Sequence, residues 1–347
     1  MAVTDAPAAS AGGLPAIPPS AVMVQMLAGF QISQALMAVA ELDIATVLVG
    51  GPLTVGEVAG RTGTDASAVL RLVRSLEPLG IFVLGEGDLV TVTPLGATLA
   101  RGTDHSVRDA ALYWQHTHYA PFGEFSHSVR TGEAGTVKFL GKPFFEWVAE
   151  DPALVELQNN CFATVTDTLK IGMFEGYRLP AGTVVADIGG ADGAMLAQLL
   201  ADEPDRKGIV FDLPGVVADV PQLLAAQGLS ARIQAVGGDF FDEVPAADVY
   251  VLSHVVHDWD DESAARILRN IARAAEPGAR LVVIESVIPA TGEPHFSKML
   301  DLIMLGLYPG RERTESEYRA LLATAGFTLD RVVPSPTPYS FIEATLD

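Results

Sequence analysis

Several acids and two histidines in the second half of the chain fall where short apolar runs end. Val249–Asp261 reads Val-Tyr-Val-Leu-Ser-His-Val-Val-His-Asp-Trp-Asp-Asp, so a strand delivers His257 and Asp258 to its carboxyl edge. An imidazole with an ordinary pKa of about 6.5 can take the proton of a hydroxyl that is becoming a nucleophile. Two acids on the same edge can orient that ring: Glu285, in Leu-Val-Val-Ile-Glu-Ser, and Glu312, in Gly-Arg-Glu-Arg-Thr. A carboxylate on the second ring nitrogen fixes the tautomer and stabilises the charged form. Two other readings compete. His254 and His257 could be a metal pair, although His-x-x-His lacks the i, i+4 spacing of a helical zinc site. His257 could also cap the helix that follows.

A second group of acids describes a ligand. Thr183–Gly193 reads Thr-Val-Val-Ala-Asp-Ile-Gly-Gly-Ala-Asp-Gly, a buried strand that ends in Asp187 and enters a glycine-rich turn. Gly189, Gly190 and Gly193 let the backbone turn tightly and approach a ligand. A dinucleotide site would place a pyrophosphate here, and Asp187 and Asp192 would repel it. Asp212, in Gly-Ile-Val-Phe-Asp-Leu-Pro, lies about 20 residues on, where a carboxylate suits a ribose diol. Asp239, in Gly-Gly-Asp-Phe-Phe, can accept from the exocyclic amine of adenine, and Phe240 can cover the ring. A ribose, an adenine and a positive charge without phosphate describe S-adenosylmethionine. The plainer alternative is an α/β domain whose strand-end acids are helix caps. Methyl transfer from a sulfonium is an in-line displacement, so the protein must align the acceptor and remove its proton.

These residues require a scaffold that brings successive strand ends together. Apolar runs over Thr183–Ile188, Gly208–Phe211, Ala231–Val236, Val249–His254 and Arg280–Val287 alternate with helical patterns such as Ala194–Leu200 and Glu262–Ala275. That alternation predicts a parallel sheet covered on both faces. Phe327–Val333 and Tyr339–Thr345, joined by Pro-Ser-Pro-Thr-Pro, close the chain as an antiparallel pair. Upstream, Leu53–Leu79 predicts two short helices, with Thr54 capping the first and Asp65 or Ser67 the second. A hairpin over Ile81–Leu84 and Leu89–Val92 completes a winged-helix pattern. Residues 1–20 read as a tail, 21–105 as the winged-helix-like domain, 106–176 as an aromatic-rich helical segment and 177–347 as the nucleotide-binding-like domain. His116, His118 and His127 lie in the helical segment and read as solvated or capping residues.

Composition narrows the partners. The 347 residues carry a net charge of −21, which opposes nucleic acid and anionic membranes. DNA binding by the winged helix is disfavoured because Glu57, Asp65, Glu77, Glu86 and Asp88 surround Arg71 and Arg74. A single cysteine, Cys161, excludes an intrachain disulfide and a cysteine-based zinc site, and suits a reducing cytoplasm. Ala2–Pro19 has no basic start and does not read as a secretory signal. Residues 6–40 carry no charge, but Gln25, Gln31, Ser33 and Gln34 argue for helices buried in a core or a subunit interface over Ala21–Leu48 rather than a membrane span.

Asp-Ile-Gly-Gly-Ala-Asp-Gly, Phe-Asp-Leu-Pro, Gly-Asp-Phe-Phe, His-Asp-Trp-Asp-Asp and Gly-Arg-Glu-Arg-Thr occur in an order that resembles the S-adenosylmethionine-dependent O-methyltransferases. These are the caffeate-type plant phenolic enzymes and their bacterial relatives acting on polyketides and other natural products. The resemblance runs from about Val22 to the end. It implies an α/β fold: a Rossmann-like domain with a seven-stranded sheet and an N-terminal winged-helix-like dimerisation domain, paired as a homodimer. It implies contacts to S-adenosylmethionine, or its product S-adenosylhomocysteine, at Asp187, Gly189, Gly190, Asp212, Leu213, Asp239, Phe240 and Ser253. It implies His257 as base, flanked by Glu285 and Glu312, no metal, and a small aromatic acceptor lined by Phe162, Asp258 and Met304. Ala191 stands where the family commonly has a third glycine, and Ser253 where the plant enzymes have lysine. A nitrogen acceptor fits the same scaffold. So does a non-methylating hydroxylation, decarboxylation or pericyclic step, although an oriented base favours methylation.

Overall fold

The computed structural model describes residues 17–347, which form two compact units dividing between Gln115 and His116. Residues 1–16 of the expected tail lie outside the described residues, and a helix, Pro19–Leu27, begins within its last two.

In the first unit, helices Pro19–Leu27, Gly29–Glu41 and Ile44–Leu48 lead to strand β1, Leu53–Thr54. Thr54 caps the helix Val55–Thr62 in a full capping box with Glu57, and Asp65, not Ser67, caps Ala66–Leu76 by accepting from Ala68 N–H at 2.8 Å. β2, Phe82–Gly85, and β3, Leu89–Val92, form the hairpin, and β1 adds a third strand on the far side of β3. Gly87 (φ 68°) and Asp88 (φ 57°) turn it in the left-handed region. Val39, Ile44, Leu48, Val58, Val73, Leu76, Phe82 and Val90 make the core. The first helices only partly join it. Met23, Val24, Met26, Leu27 and Phe30 are 54–70% exposed, so of the core or subunit interface expected over Ala21–Leu48 the core of the single chain takes only Met37, Val39, Ala40, Ile44, Ala45 and Leu48. By length and composition Pro19–Glu41 is apolar enough to cross a bilayer, and 11% of its most apolar window is buried.

The second unit carries the sheet. Its strands are β4 (Val184–Ile188), β5 (Lys207–Asp212), β6 (Ile233–Gly237), β7 (Val249–Ser253), β8 (Arg280–Glu285), β9 (Val287–Ile288), β10 (Arg313–Thr314), β11 (Phe327–Pro334) and β12 (Ser340–Leu346). Seven of them align in the order β11-β12-β8-β7-β4-β5-β6, while β9 and β10 form a separate parallel pair. β12 runs antiparallel to both of its neighbours, and β4 to β8 are parallel. The two-sided apolar runs of β4, β7 and β8 follow from helices on both faces. β4 lies between β5 and β7, so the chain order reverses beside it. This is the switch point where open α/β sheets place ligands. The run read as one strand over Arg280–Val287 breaks at Glu285, and Val287–Ile288 leaves the sheet to pair with Arg313–Thr314.

Candidate active site

At the switch point, Asp187, the residue before the last in β4, is fully buried. The turn after it depends on its glycines. Gly189 (φ 74°) and Gly190 donate their N–H groups to the Phe211 carbonyl at 2.8 and 3.2 Å. A Cβ on Gly190 would lie 2.9 Å from the Asp187 carboxyl group. Ala191 adopts φ 47°, a left-handed conformation that strains an L-residue. Asp212, at the end of β5, accepts from Ala191 N–H at 3.0 Å and from Leu213 N–H at 2.7 Å, tying the turn to the next strand. Burial raises its pKa, against those two bonds. Asp239 is exposed and accepts from Phe241 N–H at 2.8 Å, while Phe240 packs edge-on against Phe241 and Trp259. The Phe240 carbonyl is held by the buried Asn270 amide at 2.8 Å.

Both carboxylate oxygens of Asp187 lack a hydrogen-bond partner. Burial pushes its pKa up to about 7, moderated by Lys170 and reinforced by Asp212 and Asp192. A buried, unsatisfied carboxylate is costly and calls for a ligand. A cation with N–H donors meets that need, and a pyrophosphate would worsen it. The unpaired acceptors therefore fit S-adenosylmethionine, whose ammonium group carries such donors.

The second centre is built on the turn after β7. His257 lies in a single 3-10 turn, Val256–Asp258, and is 6% exposed. Its Nδ1 donates to Glu312 Oε1 at 2.6 Å, so the neutral ring keeps its lone pair on Nε2, 3.6 Å from Asp258 Oδ1. Burial depresses the imidazole, but Asp258, Glu312 and Glu285 together raise its pKa to about 10. Asp258 is pushed up to about 6 by burial, against the pull of His257. Glu285 does not orient the ring as expected. Its Oε1 accepts from the His257 backbone N–H at 3.0 Å, and its Oε2 from the Tyr318 hydroxyl. Its role is to hold the turn. The reason is register: Ser253, the last residue of β7, pairs with Ile284, so Glu285 stands one residue beyond the end of β7 and its carboxylate meets the backbone of the next turn.

His257 caps no helix, because Asp260 caps Asp261–Ala274 by accepting from Ser263 N–H at 2.7 Å. Among the described residues no three His, Cys, Asp or Glu side chains form a metal-binding group, and His254 Nδ1 lies 3.0 Å from Ser253 Oγ. Ser253 thus meets His254, which itself adopts φ 56°. Met304 is buried in the helix Phe296–Leu307, Phe162 is 50% exposed on Pro152–Leu169, and Leu213 is 52% exposed. His118 is half-buried among aromatic rings rather than solvated. It packs edge-on against Phe144 and Tyr308, and burial lowers its pKa to about 3. Sequence reasoning missed Tyr318 and Asp301, which accepts from Glu312 N–H at 2.9 Å. No local pattern marks either.

A seven-stranded sheet with acids at three strand ends and a carboxylate-bound imidazole defines an adenosyl-binding transferase site. Comparison with known proteins carries this further. Residues 122–328 match the O-methyltransferase domain and residues 24–102 the O-methyltransferase dimerisation domain. The phenazine O-methyltransferase PhzM of Lysobacter antibioticus is 37% identical over 330 residues, covering 95% of this chain and 97% of that protein. The 8-amino-8-demethylriboflavin N,N-dimethyltransferase of Streptomyces davaonensis is 33% identical over 327 residues, covering 90% and 91%. The crystal structure of the O-methyltransferase NcsB1 from neocarzinostatin biosynthesis, with S-adenosylmethionine and 2-hydroxy-5-methyl naphthoic acid, superposes with a TM-score of 0.80 at 32% identity, covering 93% of this chain and 98% of that one. This chain belongs to the S-adenosylmethionine-dependent O-methyltransferase family. Its cofactor is S-adenosylmethionine.

Proposed function

We propose that the protein methylates a hydroxyl on a small aromatic natural product and that His257 is the general base. Asp187, the Gly189–Gly190 turn, Asp212, Leu213, Asp239, Phe240 and Ser253 hold the cofactor. Bound there, S-adenosylmethionine supplies a methyl group on a sulfonium, an electrophile that needs no further activation. The carrying observation is the Glu312–His257 contact, because it leaves Nε2 as the proton acceptor. A phenol has a pKa of about 10, so an imidazole of ordinary pKa would take its proton some 3.5 units uphill, about 5 kcal/mol. An imidazole raised to about 10 matches the phenol, so the transfer from phenol to the neutral ring is nearly level, and that receptive form fills as pH rises toward the same value. Asp258, Phe162 and Met304 serve as acceptor-pocket walls. The three relatives act on or bind flat aromatic molecules by their names, which supports an aromatic acceptor here. The riboflavin dimethyltransferase keeps an amine acceptor as a second reading.

The exposed apolar side chains of Pro19–Leu27 and Phe30 lie in or beside the dimerisation match, and we assign them to the contact with a second copy. The test of function is label transfer from S-adenosylmethionine to a panel of phenols, naphthols, phenazines and aromatic amines. Transfer to hydroxyls supports the reading. Transfer confined to amines would replace it.

A further inference from the structure

A three-residue 3-10 turn has poor hydrogen-bond geometry and no length with which to stabilise itself. The turn that carries His257 is nevertheless held on every side from outside it. Glu285 accepts from the His257 N–H, and Arg311 N–H donates to the His257 carbonyl at 2.8 Å. Arg313 is fully buried. Its Nη1 donates to the Val256 carbonyl at 3.1 Å and its Nη2 to the Trp259 carbonyl at 3.0 Å. Its Nε and Nη2 also grip Asp261 Oδ1 at 3.0 and 2.8 Å. An ion pair with Asp261 alone would need neither carbonyl contact. The planar fork of five donors instead spans both flanks of His257.

Gly310 completes the arrangement. A Cβ there would lie 1.8 Å from the His257 carbonyl oxygen and 2.5 Å from the Asp258 carbonyl carbon. Only a residue without a side chain lets the 309–313 segment come this close. Glu312 sits between Gly310 and Arg313, so the segment that grips the turn also carries the acid bonded to its imidazole.

We propose that Gly310 and Arg313 are positioning residues that set the Glu312–His257 separation, and through it the aim and basicity of the ring. The proposal rests on His257 being the base. A misplacement of about 1 Å at a reacting group costs on the order of 100-fold in rate.

The test is a double-mutant cycle of Gly310→Ala with His257→Ala, with Arg313→Lys alongside because Arg313→Ala removes a buried charge and can unfold the chain. Single-turnover rates are taken across pH 6 to 10.5, and S-adenosylhomocysteine affinity by calorimetry. The expected result is a loss of about 100-fold for Gly310→Ala. Affinity stays within about twofold, and the pH midpoint of the rate moves down by up to about one unit. In the His257→Ala background the same substitution costs under about threefold, because its route is already cut. Arg313→Lys keeps the charge but loses the fork, and falls between wild type and Gly310→Ala. Additive losses in the cycle, an unmoved midpoint, or a parallel loss of cofactor affinity would overturn the proposal. If His257→Ala alone ran near the wild-type rate, the base assignment would fail first, which is a distinguishable outcome.

Discussion

Replacing Glu312 by Gln keeps the shape of the site and removes one buried charge. In the wild type Glu312 Oε1 lies 2.6 Å from His257 Nδ1, and the cluster raises the imidazole to about 10. A hydrogen bond to a charged acceptor contributes about 1–1.5 kcal/mol more than one to a neutral acceptor, so the substitution lowers the imidazole by about one pKa unit. Asp258 and Glu285 remain and keep it above the ordinary value. The direct assay is NMR titration of the imidazole nitrogens, with the His257 signal among seven histidines assigned by its loss in His257→Asn. The wild-type signal should titrate near 10 and the Glu312→Gln signal near 9. Rates should follow. Because the receptive form is the neutral ring, turnover rises with pH up to the imidazole pKa. In Glu312→Gln that rise ends about one unit earlier, and the limiting rate is about tenfold lower. A wild-type midpoint at or below 6.5, or a midpoint that Glu312→Gln leaves in place, would refute the reasoning.

Further expectations concern the rest of the molecule. Asp187 is an acid whose folded pKa, about 7, lies above its unfolded value, so its ionisation destabilises the fold as pH rises from about 4 through 7. Asp187→Asn should therefore raise the melting temperature at pH 8 by several degrees, while weakening S-adenosylhomocysteine binding at least tenfold in calorimetry. Asp212→Ala frees the Ala191 and Leu213 N–H groups as well as removing a cofactor contact, and should lower both cofactor affinity and thermal stability. Ala191→Gly relieves a left-handed alanine and should stabilise by about 0.5–1 kcal/mol in urea unfolding, net of the flexibility glycine adds to the unfolded chain. Met26→Asp with Phe30→Asp places charge on the helices assigned to the second-copy contact and should move sedimentation from dimer to monomer, whereas a wild type that already sediments as monomer would refute that assignment.

The sheet was legible because its strands are two-sided apolar runs with acids at their ends. Boundaries fell within a residue or two for β4, β5, β6, β7, β11 and β12. The places of Asp212 at the end of β5 and of Asp239 just after β6 were readable from the apolar runs before them, and the Glu312–His257 contact from the chemistry an oriented imidazole needs. Glu285 was misread, since register decides whether a strand-end acid meets a ring or a backbone N–H. Arg313 was quoted in its motif, but burial of a charged fork is a tertiary fact with no sequence period. Nor could sequence show that both oxygens of Asp187 go unpaired, because that depends on which neighbours fail to reach them. The first helices read as buried in a core or a subunit interface because they are apolar; a single chain leaves the first of them exposed, so the core alternative fails there and the interface alternative stands as the proposal.

The most direct test of the central claim is label transfer to a methylated acceptor by wild type and His257→Ala, at saturating S-adenosylmethionine, with cofactor affinity measured in parallel. A positioned base contributes about 10²- to 10⁴-fold. The variant should lose that much rate while cofactor affinity holds. A variant within about tenfold of wild type would contradict the account.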